Sequence, residues 1–292
     1  MTVTAEARRT GFPGQFANGV LAATCGRAAR HTLLFVALVG VWEAVTAAGL
    51  IDRLILPRPS DILVSLFNMT VVQGNVWPHF AITLFEAVVG FLVGAAIGIA
   101  LAIAAGLNET FRRYISPYIV ALQVTPRIAL APIVIAWLGF GVLPKIGIAA
   151  MVCFFAPFIN TLTGLLNVDE DAHEMFRSLG ARKSQIFWSL MLPSAVPIIM
   201  AGLKTSISLA LIGAIVGEFI TASAGLGIMM QRYTFALNMP SSFAVLLMLT
   251  VMGYILFLLM EFLDNTIVFW RHDARLSAVS RRRARKWPLP AA

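Results

Sequence analysis

Long apolar runs that contain no charged residue recur along this chain. The intervals 87–108, 146–168 and 233–260 hold 22, 23 and 28 consecutive uncharged residues. An α-helix needs about 20 predominantly apolar residues to cross the hydrocarbon core of a bilayer. Strands of a membrane barrel would instead alternate between apolar and polar residues in segments of about ten. The pattern therefore predicts an all-α membrane protein.

Six membrane spans account for the apolar runs along the whole chain. The first is interrupted by Glu43, and the longest polar stretch between two spans separates the fourth from the fifth. The predicted spans are residues 33–51, 81–107, a third run that ends near Leu143, 146–168, 197–220 and 243–263.

The third apolar run is too long for one straight helix. Its 30 residues would form a helix of about 45 Å, whereas the hydrocarbon core is about 30 Å thick. Pro117, Pro126 and Pro132 can interrupt this helix, because a proline removes a backbone donor and clashes with the preceding turn. We therefore place residues 115–125 near the membrane interface and Arg127 close to its cytoplasmic boundary, away from the bilayer centre.

Lysine and arginine residues are concentrated on one side of the six predicted spans. If both termini face the cytoplasm, sixteen basic residues lie in cytoplasmic tails and loops and four lie outside, namely Arg53, Arg58, Lys145 and Arg232. Cytoplasmic loops of membrane proteins carry such an excess of positive charge. We therefore expect cytoplasmic tails over residues 1–32 and 266–292, with a membrane domain over residues 33–265 between them.

The composition agrees with a membrane protein and narrows its partners. Hydrophobic residues make up 59% of the 292 and charged residues 12%, with a mean hydropathy of +0.85, whereas soluble domains carry about 25% charged residues. The net charge of +8 lies beside apolar spans and not in a basic, aromatic-rich domain. We therefore expect contact with a lipid bilayer and none with nucleic acid. Two cysteines and four scattered histidines have no metal-binding spacing.

The polar stretch 169–203 predicts a short elbow made of two helices joined at a glycine. Acidic residues 169–171 suit a helix N-terminus, where side-chain caps and the helix dipole favour them. Gly180 can end this helix in a left-handed conformation, and a second amphipathic turn follows before Pro193 and Pro197. An alternative interpretation is an interfacial helix that only lies on the lipid surface.

A set of residues at regular spacing runs through this elbow. It comprises Glu174, Gly180, Ala181, Phe187, Leu192, Pro193, Pro197, Gly202 and Leu203. The set resembles the cytoplasmic "EAA" loop of binding-protein-dependent ABC importer permeases. Where that family usually has Glu-Ala-Ala, this chain has Glu174, Met175 and Phe176.

Other segments extend the resemblance over residues 40–265. They are Trp42-Glu43, 49–51, 56–60, Thr83-Leu84, Gly90-Phe91, 126–132, 137–141, Gly217-Glu218 and 225–227. Together they resemble the nitrate/sulfonate/taurine-type permeases. Where many of those carry an arginine shortly after the Thr-Leu pair, this chain has Glu86, which resembles a pyrimidine- or riboflavin-precursor-type branch.

The resemblance implies a type I importer permease in the bacterial inner membrane, with a core over about 80–265 and a coupling loop over 169–196. It implies three protein partners: a second permease copy in a homodimer, a cytoplasmic ABC ATPase and an extracytoplasmic substrate-binding protein. The chain has no GxxxxGK[ST] phosphate loop, so we expect no enzyme activity and no cofactor, with ATP used by the partner. The residues expected to couple to the ATPase are Glu174, Met175, Phe176, Gly180, Ala181, Phe187, Leu192, Pro193 and Pro197.

Polar residues within the spans are candidates for the translocation pathway. Glu218, Glu86 and Gln123 are the three that we assign to it, because carboxylates inside membranes are costly and often functional. Glu218 also lies among glycines that could pack against another helix, and Glu86 could lie in a wet interface. Residues 90, 94 and 98 are glycines whose four-residue spacing is typical of close helix packing.

Two other function classes are open at this point. A gradient-driven secondary transporter is typically built from inverted repeats, and the two halves of this chain show no convincing one. An intramembrane enzyme would need a catalytic group such as HExxH, and the sequence has none. The sequence leaves the substrate open among nitrate, sulfonates, taurine, a pyrimidine precursor, riboflavin and others.

Overall fold

The structure is a computed structural model that describes residues 14–221 and 223–270. The predicted tails therefore lie outside the described residues over 1–13 and 271–292. The chain divides into two compact units, one up to Val64 and one from Ser65 onward. Within the described residues every regular element is helical, as the apolar pattern predicts.

The first unit contains helix α1 (Gly14–Ala47) and the start of α2 (Pro59–Phe67). Helix α1 begins within the predicted N-terminal tail. The carboxylate of Glu43 accepts hydrogen bonds from the Ser60 backbone N–H at 3.1 Å and from the Ser60 hydroxyl at 2.9 Å. Because the first N–H groups of a helix lack intrahelical partners, Glu43 caps α2 and holds it against α1.

The second unit contains the other helices, of which α6 and α7 are separated by a single residue, Phe154. The helices are α3 (Val76–Leu107), α4 (Glu109–Val124), α5 (Ala131–Leu138), α6 (Val142–Cys153), α7 (Phe155–Leu166), α8 (Glu170–Ser178), α9 (Lys183–Ile186), α10 (Leu192–Thr221), α11 (Leu226–Phe235) and α12 (Met239–Ile267).

Five helical stretches in the described residues are long and apolar enough to cross a membrane, and they correspond to five of the six predicted spans. The sixth corresponds to α4 and α5, which meet at a bend of 90°. Pro126 lies at the break and Pro132 near the start of α5, whereas Pro117 lies inside α4. The predicted interruption of the third apolar run is therefore confirmed at two of its three prolines.

The bend is held in place by Arg127, which begins a short 3₁₀ turn before α5. Its guanidinium donates to the Val152 carbonyl at 2.9 Å and lies 5.4 Å from the ring centroid of Phe155. A cation over an aromatic face is attracted by the ring quadrupole. Arg127 thus joins the bent pair to the α6–α7 junction.

The core is formed by α6 and α7, which pack between α3 and α10. Gly94 and Gly98 of α3 lie directly against the backbone of these helices, since a Cβ at Gly94 would be 2.6 Å from the Ala150 carbonyl oxygen. On the opposite side, a Cβ at Gly213 of α10 would be 2.7 Å from the Ala149 Cα. The packing role predicted for the glycines of the second span is confirmed, because only glycine permits such an approach.

Candidate coupling elbow and buried charge cluster

The first arm of the elbow is the helix α8, which is capped at both ends. The Asp169 carboxylate accepts from the backbone N–H groups of Asp171 at 3.0 Å and Ala172 at 3.4 Å. At the other end Gly180 has a φ of 78°, and the Ala181 N–H donates to the Phe176 carbonyl at 3.0 Å. This is the glycine-terminated helix end that the sequence predicts.

The second arm of the elbow is continuous with a membrane helix. Residues Lys183–Thr221 form one helical stretch of 39 residues, with a π-helical turn over Phe187–Met191. Phe187 is buried in a cluster with Leu165, Ala195 and Ile199. The second arm is therefore anchored in the core by its aromatic residue.

The nine residues that the sequence assigns to coupling lie along the elbow and the first turns of α10, and their exposure differs. Glu174, Met175, Gly180 and Pro193 are exposed, Phe187 is buried, and the other four are half-buried. Two apolar side chains outside the assigned set, Leu179 and Trp188, are 78% and 67% exposed. Leu179 could be found from its helical spacing to Met175, but the exposure of Trp188 depends on the π-helical turn.

A second group of functional candidates forms a charge cluster inside the fold. Glu86 of α3, Lys145 of α6 and Glu218 of α10 are all buried, and the Lys145 ammonium forms an ion pair with the Glu86 carboxylate. Lys145 was expected outside the membrane, between two spans. Helix α6 begins earlier than the predicted span and includes Lys145, so that expectation is wrong.

The Glu218 carboxylate binds the backbone at the start of α11. It accepts from the Thr83 hydroxyl at 2.6 Å and from the Gly227 N–H at 2.5 Å. The Leu226 N–H donates to the Thr83 hydroxyl at 2.8 Å, and the Gly225 N–H donates to Nδ1 of His79 at 2.9 Å. Three consecutive backbone donors are thus satisfied by side chains of α3 and α10, which fixes the start of α11.

The three residues predicted for the translocation pathway lie in two places. Glu86 and Glu218 belong to the buried cluster, with 0% of each exposed. Gln123 is exposed near the end of α4, and no hydrogen bond among the described residues joins it to the cluster. Their assignment to the pathway stays a prediction.

The profile of the family described as "Binding-protein-dependent transport system inner membrane component" matches residues 94–268. This range includes both the elbow and Glu218. The chain belongs to this family.

Individual relatives cover most of the chain. The formylaminopyrimidine transport permease ThiX of Halalkalibacterium halodurans is 32% identical over 245 residues, which are 84% of this chain and 97% of that protein. The putative aliphatic sulfonates transport permease SsuC of Bacillus subtilis is 29% identical over 82% of this chain and 87% of that protein. The taurine transport system permease TauC of Escherichia coli is 28% identical over 82% and 88%.

A solved structure shows the same fold. In the inward-facing MetNI methionine ABC transporter, one chain is similar with a TM-score of 0.55 and 21% identity, over 69% of this chain and 98% of that chain. The protein is therefore a multi-pass inner-membrane permease subunit of a binding-protein-dependent ABC importer. Its family membership implies an ATPase subunit and a substrate-binding protein as partners, and it excludes the gradient-driven alternative.

Proposed function

We propose that the elbow over residues 169–196 is the surface on which the ATPase subunit docks, and that α10 carries the movement of the elbow into the membrane. The observation that carries this proposal is the continuity of Lys183–Thr221. One end of this stretch is the second arm of the elbow. The other end holds Glu218, which binds the start of α11.

The apolar side chains on α8 support docking by the first arm. Met175 and Leu179 lie four residues apart, so they share a helix face, and they are 53% and 78% exposed. Apolar residues of this size on a cytoplasmic surface are typical of protein contacts. Glu174 lies beside them as an exposed carboxylate.

A charged double variant tests this docking surface. Met175→Glu with Leu179→Glu should abolish co-purification of the ATPase subunit, because burying two unpaired carboxylates in an interface is strongly unfavourable. Membrane insertion of the permease should remain normal. The control is Leu54→Glu with Ile55→Glu, which changes two residues that are also exposed but lie in the first unit, after the first predicted span. Normal ATPase retention by the double variant would contradict the proposal.

We further propose a homodimer in which the bent α4–α5 pair meets its counterpart in a second copy. Trp137 and Phe140 support this arrangement, since they are 80% and 84% exposed at the end of α5. Gln123 on α4 is then placed to face a pathway between the two copies. Glu86 and Glu218 would act on the pathway indirectly, through the start of α11 that the cluster holds.

We propose an aminopyrimidine-type compound as the substrate. The 32% identity to a formylaminopyrimidine permease supports this class. Mass spectrometry of the small molecule released from the denatured cognate binding protein should identify an aminopyrimidine, and an alkyl sulfonate there would contradict the assignment.

A further inference from the structure

A cavity of about 470 Å³ lies between the end of α3 and the inner side of the elbow. Its lining has two halves. One half is basic and consists of His173 and Arg177 of α8 with Lys183 of α9; the other half is apolar and includes Leu107, Ile186 and Met191.

The basic half is not neutralised within the described part of the chain. The ion pairs found there join Arg113 to Glu109, Lys145 to Glu86, and Lys204 to Glu261 and Asp264. Neither Arg177 nor Lys183 takes part in any of them. His173 and Arg177 are four residues apart and therefore lie on one face of α8, which directs two nitrogen groups toward the same cavity.

The apolar half continues the surface of a membrane-spanning helix. Leu107 is the last residue of α3 and is 55% exposed. Ile186 is buried at the start of the second arm of the elbow. A cavity with a basic half and an apolar half at the end of a span matches a molecule with an anionic head and an acyl tail, because each part then meets a compatible surface.

We propose that this cavity binds the phosphate headgroup of an anionic phospholipid, with Arg177 and Lys183 as its cationic contacts. The proposal rests on the proposed function, which puts the elbow at the membrane surface on the ATPase side. A soluble phosphate would use the same cations but would gain nothing from the apolar wall. The bound lipid would connect α8 to the end of α3 and thereby stiffen the elbow from its inner side.

The test uses the complete transporter, purified in mild detergent and examined by native mass spectrometry with added phosphatidylglycerol or phosphatidylcholine. The wild type should retain one phosphatidylglycerol per permease copy and no phosphatidylcholine. The variant with Arg177→Gln and Lys183→Gln should bind phosphatidylglycerol at least tenfold more weakly. The matched control, Arg112→Gln with Arg113→Gln, removes two arginines of α4 that do not line the cavity and should bind as the wild type does.

A second variant tests the cavity without changing the charge of the elbow. Leu107→Trp fills the cavity and keeps both cations, so it should also lose the lipid. Equal phosphatidylglycerol retention by the charge variant and the wild type would overturn the proposal. So would displacement of the lipid by millimolar inorganic phosphate, which would indicate a free-anion site.

A failure of the lipid proposal can be distinguished from a failure of the docking proposal. Lipid retention is measured directly, whereas docking is measured by co-purification of the ATPase. A transporter that keeps the lipid but does not require Met175 and Leu179 for assembly would contradict only the docking surface.

Discussion

Lys145 and Glu86 show how much a single pair of residues can depend on distant parts of the chain. Each is buried in a membrane-spanning helix, and each has the other as its charge partner. A charge inside the membrane is costly unless it is paired. The sequence shows the two residues far apart, and nothing in the local pattern around Lys145 distinguishes it from a loop residue that faces water. Its position could therefore not be predicted without the packing of α3 against α6.

Breaking this pair should be far more harmful than replacing it. Glu86→Gln should destabilise the permease by about 3–5 kcal/mol, because it leaves the Lys145 ammonium buried without its counter-ion. The double variant Glu86→Gln with Lys145→Met should recover most of that loss. Thermal unfolding in detergent measures both. Equal destabilisation by the single and double variants would show that the pairing itself contributes little.

Gly180 can be tested by two substitutions that differ strongly in how well they tolerate a positive φ. Nothing lies within 4 Å of a Cβ built at this position, so a side chain meets no obstacle and only the φ of 78° matters. Gly180→Val should uncouple ATP hydrolysis from uptake, because a β-branched residue resists this conformation. Gly180→Asn should retain coupling, since asparagine tolerates it. Uptake and ATPase rates in proteoliposomes provide the measurement; equal coupling in both variants would argue against a role for this bend.

At the scale of helices, the elbow was largely predictable because its signals are local. An acidic cap, an amphipathic stretch and a glycine specify α8 within a dozen residues or so. The second arm was less predictable: its π-helical turn and its continuity with α10 depend on the packing of Phe187 against Leu165 and Ile199. The bend between α4 and α5 was predictable in part, since Pro126 indicates a break in the helix but not its angle of 90°.

Substitutions of two neighbouring aromatic residues should affect the anchoring of the elbow and its docking differently. Phe187→Ala should destabilise the permease by about 3–5 kcal/mol, the usual cost of removing a buried phenyl ring. Trp188→Ala should leave stability within about 0.5 kcal/mol of the wild type, as expected for an exposed side chain, and should weaken ATPase binding. Thermal unfolding and co-purification are the two measurements. Similar unfolding temperatures for the two variants would contradict the anchoring role of Phe187.

For the whole molecule, the sequence was sufficient for fold class and family. Charge-free intervals predict spans, and the ordered motifs specify a type of permease that the comparisons confirm. The buried cluster was not predictable as a unit, because its members come from α3, α6, α10 and the start of α11. Cytoplasmic placement of the two termini and pairing of two copies remain predictions, since both concern surroundings outside a single chain.

The proposed homodimer can be tested by cross-linking at the bent pair. In a background with Cys25→Ser and Cys153→Ala, Phe140→Cys should form a disulfide between two copies in membranes. Leu259→Cys on α12 is the control, because Leu259 is also exposed but lies on a different helix. Covalent dimers from Leu259→Cys and none from Phe140→Cys would assign the contact to α12 instead.

The glycine contacts of the core limit the ways in which this permease can move. Where backbone lies on backbone along α3 and α10, one helix cannot slide along another without steric overlap, so we expect the core to rotate as a solid body. The stretch Lys183–Thr221 is about 58 Å long at 1.5 Å per residue. If the pivot lies at the elbow, a rotation of about 10° displaces the opposite end of this stretch by about 10 Å. A small angular change at the ATPase would then be converted by helix length alone into an opening wide enough for a small solute.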